Sequence, residues 1–168
     1  NVRKNKNFSI FDLKLKFPFS RITTIRNIVV NLIGDHNITN ATASIAIALN
    51  LGVKVSKIKK ALKKFLGIQR RFTKVFSFEK KEFYDDYAHH PTEIEAVLNS
   101  ARQVHKNRKI ICVFQPHRYS RINALKNEFA LSFKSSDAVV LCPVYSAGEK
   151  TMYNFNQDNF SRLISKKI

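Results

Sequence analysis

Two short charge-free runs, Ile110–Phe114 (IICVF) and Ala138–Leu141 (AVVL), constrain the fold of this chain more than anything else in it. Neither run alternates apolar with polar residues, so both predict strands of a parallel sheet covered on both faces. Helical patterns separate and flank them. Pro91 opens a helix to about His105 with Ile94, Val97, Leu98 and Ala101 inward; Ser120 caps one to about Phe133; Asn159–Lys166 begins a last one. Strands and helices in that alternation make an α/β unit. Just ahead of it, Phe72–Phe78 and Glu82–Asp86 alternate around Glu79-Lys80-Lys81, the pattern of a hairpin.

Before Gly67 the pattern is different. Phe11, Leu13, Leu15 and Phe17 alternate with Asp12, Lys14 and Lys16, as in a half-buried strand, and Ile25–Ile33 predicts a second strand stopping at Gly34. Asn40–Leu51 is small and apolar on nearly every side, which predicts a buried helix ended by Gly52. Ser56 then caps Lys57–Leu66, with Ile58, Leu62 and Phe65 on one face and Gly67 at the stop. A boundary is expected near Gly67–Arg71, between an α+β piece and the α/β unit. The first piece looks incomplete, since so buried a helix needs more sheet than residues 1–33 supply.

Composition excludes several functions. No apolar run reaches the roughly 18 residues of a membrane span, and Asn1–Asn7 is not followed by a signal-peptide core. The only cysteines, Cys112 and Cys142, lie in apolar runs, so they are expected to be buried thiols of a reducing, cytoplasmic compartment, with no disulfide scaffold and no cysteine zinc site. The four glycines are Gly34, Gly52, Gly67 and Gly148, so neither GxGxxG nor GxxxxGK[ST] can be written. The net charge of +18 invites a nucleic-acid reading. Against it, the basic residues are dispersed, lack interleaved aromatics, and are mostly Lys in a chain with 15 Asn and 16 Ile, as AT-rich codons favour. They are read as a solvated surface, with no nucleic-acid and no membrane partner.

Three clusters stand at strand ends. In Gly34-Asp35-His36-Asn37-Ile38-Thr39-Asn40, Asn37 or Asn40 could read an adenine edge, or Asn37 or Thr39 could simply cap the following helix. In Asp85-Asp86-Tyr87-Ala88-His89-His90-Pro91-Thr92-Glu93, a carboxylate could grip ribose hydroxyls or a metal and a histidine could accept a proton. Alternatively, Thr92 and Glu93 cap the helix and the histidines are surface residues. No HExxH is present, and no metal site is expected. In Phe114-Gln115-Pro116-His117-Arg118-Tyr119-Ser120-Arg121, Arg118 and Arg121 stand three apart where a helix opens, a geometry for clamping a carboxylate or phosphate. Arginines there oppose the helix dipole, which argues for a ligand. Arg70-Arg71 is a weaker signal.

Taken in order, Gly34–Ala41, Gln69-Arg70-Arg71-Phe72 and Asp86–Glu93 resemble the second half of the Mur ligases, whose Asp-x-Ala-His-x-Pro core folylpolyglutamate ligases share. FQPHRYSR at 114–121 and Val144-Tyr145-Ser146-Ala147-Gly148-Glu149 are similar to the branch that joins L-alanine to UDP-N-acetylmuramate. The resemblance covers essentially the whole chain. It implies an ATP- and Mg2+-dependent ligase of peptidoglycan synthesis, in which ATP phosphorylates the muramyl carboxylate and the amine of L-alanine attacks the acyl phosphate.

By that resemblance, residues 1–67 are the end of the central ATPase domain and 68–71 a hinge. Residues 72–168 are a Rossmann-like, mostly parallel C-terminal domain lacking its closing strands. His36, Asn37 and Asn40 would lie at adenine, Arg71 at the γ-phosphate and Asp86 at the ribose. Tyr87, His89, His90, His117, Arg118 and Arg121 would surround L-alanine and the acyl phosphate, with His89, His90 or His117 handling the proton. The UDP domain, the P-loop with its Lys and the magnesium ligands have no counterpart in these residues. The chain is therefore expected to be inactive alone, as a remnant or as the binding half of a ligase with a separately encoded N-terminal partner.

Overall fold

The structure, a computed structural model, describes residues 1–5, 8–16, 22–150 and 155–168. They form two units, Asn1–Gln69 and Arg70–Ile168. The fold is α/β with mixed sheets: one three-stranded antiparallel, one antiparallel hairpin and one parallel pair.

In the first unit, β1 (Val2–Lys4), β2 (Ser9–Leu15) and β3 (Thr23–Val30) pair antiparallel in chain order. Alternation puts Phe11, Ile25, Ile28 and Val30 on the dry face, against Ala41 and Ile45 of α1 (Asp35–Asn50) and Ile58 of α2 (Val55–Lys64). The β2–β3 register shifts between Phe11 and Leu13. There the Asp12 carboxylate accepts the N–H of Asn27 at 2.8 Å, holding Asn27 at φ 54°, a conformation asparagine tolerates better than most residues. Phe17, the end of the alternating run, lies outside the described residues.

Several expectations are corrected in this unit. β3 ends at Val30, three residues before Ile33. Helix α1 begins at Asp35 and not at Asn40, because Gly34 (φ 99°) turns the chain and its carbonyl accepts the Asn37 N–H at 3.1 Å. Neither Asn37 nor Thr39 is therefore a cap. Nor is the helix buried on nearly every side: Ala41 and Ile45 are buried, while Ile47 is 62% exposed. Among the described residues of its unit, only the sheet and α2 are there to cover it. Ser56 lies inside α2, which follows an extended Lys54 and ends at Lys64 as Phe65 turns extended.

In the second unit, β4 (Thr73–Phe78) and β5 (Lys81–Asp85) form the hairpin, with Glu79 (φ 45°) and Lys80 (φ 62°) as its left-handed turn pair. The Glu82 carboxylate joins it to the end of α3 (Pro91–Val104): it accepts the Tyr84 hydroxyl at 2.9 Å and pairs with His105 at 3.4 Å. Burial, then the bond to Glu82, pushes the Tyr84 phenol up to about 12.

Strands β6 (Ile111–Phe114) and β7 (Ala138–Leu141) pair in parallel, Ile111 opposite Ala138 through Phe114 opposite Leu141. Among the described residues three helices follow α3: α4 (Tyr119–Ala124), α5 (Lys126–Ser132) and α6 (Gln157–Ser165). The core joins Ile94 and Leu98 of α3, Phe114 of β6, Ile122 of α4, Phe129 and Ala130 of α5, Phe133, and Phe160 and Ile164 of α6.

This core lies against one face of the parallel pair, reached by Cys112, Phe114, Val139 and Leu141. On the other face Ile111, Val113 and Val140 are 64%, 69% and 51% exposed, so the expectation of a sheet covered on both faces is corrected. The thiols are only half buried; burial still pushes Cys112 up to about 11. The helix expected from Ser120 to Phe133 breaks at Leu125 (φ −121°, ψ 30°) into α4 and α5. Arg118 stands at the cap position, and Ser120 is inside α4. Asn156 caps α6 by accepting the Asn159 N–H at 2.9 Å, starting it two residues early.

Candidate active site

The three clusters divide between the units. His36, Asn37 and Asn40 belong to the first two turns of α1. His36 and Asn37 are half buried and Asn40 is exposed. The Asn37 side-chain amide donates to the Ile33 carbonyl at 2.7 Å, leaving its oxygen and second N–H for a ligand.

The other clusters meet in the second unit. Asp86, at the end of β5, ties its own loop: Oδ2 accepts the Phe72 N–H and Oδ1 the Ala88 N–H, both at 2.6 Å. Each oxygen keeps a further lone pair for a hydroxyl. The Arg70 carbonyl accepts the Tyr87 N–H at 2.9 Å, and the Arg70 guanidinium lies 4.7 Å from the Tyr87 ring centre while pairing with Asp85 at 3.5 Å. Arg70 (φ 58°) and Phe72 (φ 49°) are both left-handed. Non-glycine residues hold such conformations only where surrounding contacts impose them.

His90 is the N-cap of α3, its imidazole accepting the Thr92 N–H and the Glu93 carboxylate reaching back to close a capping box. Thr92 is thus not the cap. Glu93 is a junction: Oε2 accepts the N–H groups of His89 (3.0 Å) and His90 (3.2 Å) and lies 3.6 Å from His89 Nδ1, while Oε1 faces Arg71 at 3.8 Å. Burial opposes its charge, but the His89 amide and ring, the His90 amide and Arg71 together hold it below the usual glutamate value. His89 Nδ1 lies 2.8 Å from the Tyr87 carbonyl, so it carries the proton there and leaves Nε2 as the basic nitrogen.

The 114–121 loop completes the site. The His117 ring is 5.9 Å from His89 and 5.2 Å from Tyr145, and the Arg121 guanidinium donates to the His89 carbonyl at 3.5 Å. His117 Nδ1 is buried with no hydrogen-bond partner among the described residues. Burial, then Arg121, His89 and Arg118, push its proton affinity below the ordinary histidine value, with Glu149 pulling the other way. The result is an imidazole whose neutral form is favoured by burial and by two nearby arginines. Such a group can take a proton from an ammonium while the arginines hold an anion. Among the described residues no three His, Cys, Asp or Glu come together as metal donors.

Sequence reasoning gave no role to Tyr145 or Glu149. Tyr145 aligns with His117 as an isolated parallel bridge, continuing the β6–β7 pairing. Glu149 accepts both the N–H and the hydroxyl of Ser120, which is 29 positions away and so beyond any local motif. Glu93 did carry a signal, its place three residues after the cap.

The stability of this unit should fall with acid in two stages. His117 is depressed in the folded chain, so below its unfolded value near 6.5 the unfolded chain binds more protons and stability declines. Glu93 and Glu149 are held below 4.5, and their contributions are lost as pH falls through that range. Melting temperature measured from pH 8 to pH 4 should be flat down to about 6.5 and then drop. His117→Gln should remove the upper stage; an unchanged profile would refute the placement of His117.

Residues 70–164 match the family model described as Mur ligase, glutamate ligase domain. UDP-N-acetylmuramate–L-alanine ligase of Pelagibacter ubique is 51% identical over 166 residues, covering 99% of this chain and 36% of that protein. The Agrobacterium fabrum ligase of the same name is 45% identical over 150 residues, 89% of this chain and 32% of that protein. The crystal structure of UDP-N-acetylmuramate-alanine ligase from Thermotoga maritima superposes with a TM-score of 0.66 at 31% identity, over 84% of this chain and 30% of that one. Folylpolyglutamate synthase from Thermotoga maritima, at 19% identity and TM-score 0.58 over 97% of this chain and 38% of that one, shares the fold. The chain spans about a third of the length of the curated relatives it matches.

Proposed function

We propose that this chain, which belongs to the Mur ligase family, supplies the amino-acid half and part of the ATP site of a cytoplasmic ligase. That ligase joins L-alanine to UDP-N-acetylmuramate in peptidoglycan synthesis. The convergence of the Asp86–Glu93 and Phe114–Arg121 loops carries this reading: the Arg121 guanidinium sits on the His89 carbonyl, and the His89 and His117 rings, tilted 51° to each other, have centres 5.9 Å apart. In this reading the parallel pair is the start of a Rossmann-like, mostly parallel domain over residues 72–168. Residues 1–67 are the end of the ATPase domain, with 68–71 the hinge.

The residues then divide the work. His36, Asn37 and Asn40 read adenine, Asp86 accepts a ribose hydroxyl, and Arg71 moves from Glu93 to the γ-phosphate. Arg118 and Arg121 hold the alanine carboxylate and the acyl phosphate, with Tyr87 beside them. The ammonium proton of alanine passes to His89 Nε2 or to His117, freeing the nitrogen lone pair. That nitrogen bonds to the acyl carbon as the carbon–oxygen bond breaks and phosphate departs with the electron pair, and the nitrogen's second proton leaves on the departing phosphate. His90, its Nδ1 engaged in the cap, orients the loop. The magnesium accompanying ATP finds no donor set among the described residues, and no step here is routed through it.

The sequence contains no GxxxxGK[ST], so these 168 residues lack the amide cradle and lysine on which phosphoryl transfer depends. The purified chain should release no phosphate from ATP above blank. Grafted behind the N-terminal part of a homologous ligase, it should support ATP-dependent coupling of L-alanine to UDP-N-acetylmuramate. Phosphate release by the chain alone, abolished in Arg71→Ala, would overturn the first expectation; a soluble graft that binds ATP but couples no alanine would overturn the second.

A further inference from the structure

We propose that Glu149 is a positioning residue, a remote cap that locks the Phe114–Arg121 loop so that the Arg118 and Arg121 guanidinium groups face a substrate anion; this rests on the amino-acid site proposed above. The start of α4 needs such a group. Its cap position is held by Arg118, at φ 69° and ψ 130°, and Arg118 has no side-chain acceptor with which to satisfy the first N–H groups of the helix. Glu149 supplies one from another loop. One oxygen accepts the Ser120 N–H at 3.1 Å and the other accepts the Ser120 hydroxyl. The Ser120 bonds, then the Tyr119 N–H and the charge of Arg118, hold this carboxyl below the usual glutamate value.

The loop bearing Glu149 is itself tied to the loop it holds. The Tyr145 N–H donates to the Pro116 carbonyl at 2.8 Å, and the Arg118 N–H donates to the Tyr145 carbonyl at 2.9 Å. The chain then turns through Ala147 (φ 52°) and Gly148 (φ 84°), and the Glu149 N–H closes the turn on the Ser146 carbonyl at 3.1 Å. Two non-glycine residues in left-handed conformations, one on each loop, are thus held by bonds between the loops. With an ordinary Ser or Asp cap in place of Arg118, the same helix start would carry no guanidinium. Glu149 lets an arginine stand there without leaving the helix uncapped.

Its charge has a second effect. Arg121, His89 and Arg118 all act to lower the proton affinity of His117, while Glu149 raises it. Glu149 would therefore temper an imidazole that burial and two arginines otherwise make a poor base.

Proton exchange and titration by NMR on the 168-residue chain test the lock. Glu149→Ala should speed exchange of the Ser120 amide about fivefold or more, as loss of a cap does, while the Phe129 and Phe160 amides stay protected. Glu149→Gln keeps an acceptor but loses the charge, so the His117 midpoint should fall below that of the parent. Release of the loop would bring His117 into water and move the midpoint up toward 6.5, which also marks a broken lock. A His117 midpoint unmoved in Glu149→Gln, or unchanged Ser120 exchange in Glu149→Ala, would overturn the proposal. In the grafted ligase Glu149→Ala should raise KM for L-alanine and leave KM for ATP unchanged. If the chain's own readouts shift and KM for alanine does not, the lock stands and the alanine assignment falls.

Discussion

Replacing Arg118 or Arg121 with alanine in the grafted ligase should lower kcat/KM for L-alanine by on the order of 10²-fold or more. Arg118 lies at the cap position of α4, and Arg121 is one turn on, its guanidinium on the His89 carbonyl. A carboxylate held by a guanidinium through paired hydrogen bonds is worth a few kcal/mol, and a lysine cannot reproduce the planar fork. Arg118→Lys should therefore recover only part of the loss. An exposed arginine with no ligand would cost almost nothing. The comparison is made by steady-state coupling assays with L-alanine, glycine and L-serine; if both alanine variants stay within about twofold of the parent, the anion-clamp assignment is wrong.

Phe129→Ala should destabilise the second unit by about 3–5 kcal/mol, a large share of the roughly 5–15 kcal/mol available to a domain of this size. Phe129 is completely buried, with its ring 5.8 Å from Phe114 and 6.3 Å from Phe160, so truncation leaves a cavity that three elements border. Phe78, 59% exposed on the hairpin, is the control, and Phe78→Ala should change stability by less than about 0.5 kcal/mol. Calorimetry should show the transition of residues 70–168 moving down in Phe129→Ala while that of residues 1–69 stays in place. A single transition moving as a whole would refute the proposed division into separately folding domains.

Local signals along the chain are enough to read the kinds of element and the places where chemistry gathers. Pro91 fits the first turn of a helix and not its interior, and an alternating run broken by Glu79-Lys80-Lys81 is a hairpin, because these signals act within a few residues. The three loops rich in His, Arg and Asn were visible for the same reason: each is a local concentration of functional groups at a strand end. Tertiary structure decided what contiguous residues cannot encode. The small apolar residues of Asn40–Leu51 give no sign of which face will be covered, and only the packed sheet shows Ile45 buried and Ile47 exposed. The same holds for β6 and β7, whose unbroken apolar runs suggest cover on both faces while the core closes only one.

Ser120 is a good cap by composition, yet it lies inside α4 because Glu149 satisfies that helix from 29 residues away. His90, a poor cap by type, takes the role because Glu93 closes the box with it. Local propensity amounts to a fraction of a kcal/mol per residue. A charged hydrogen bond reaching across the fold outweighs it, and its partner is named only once the chain has folded.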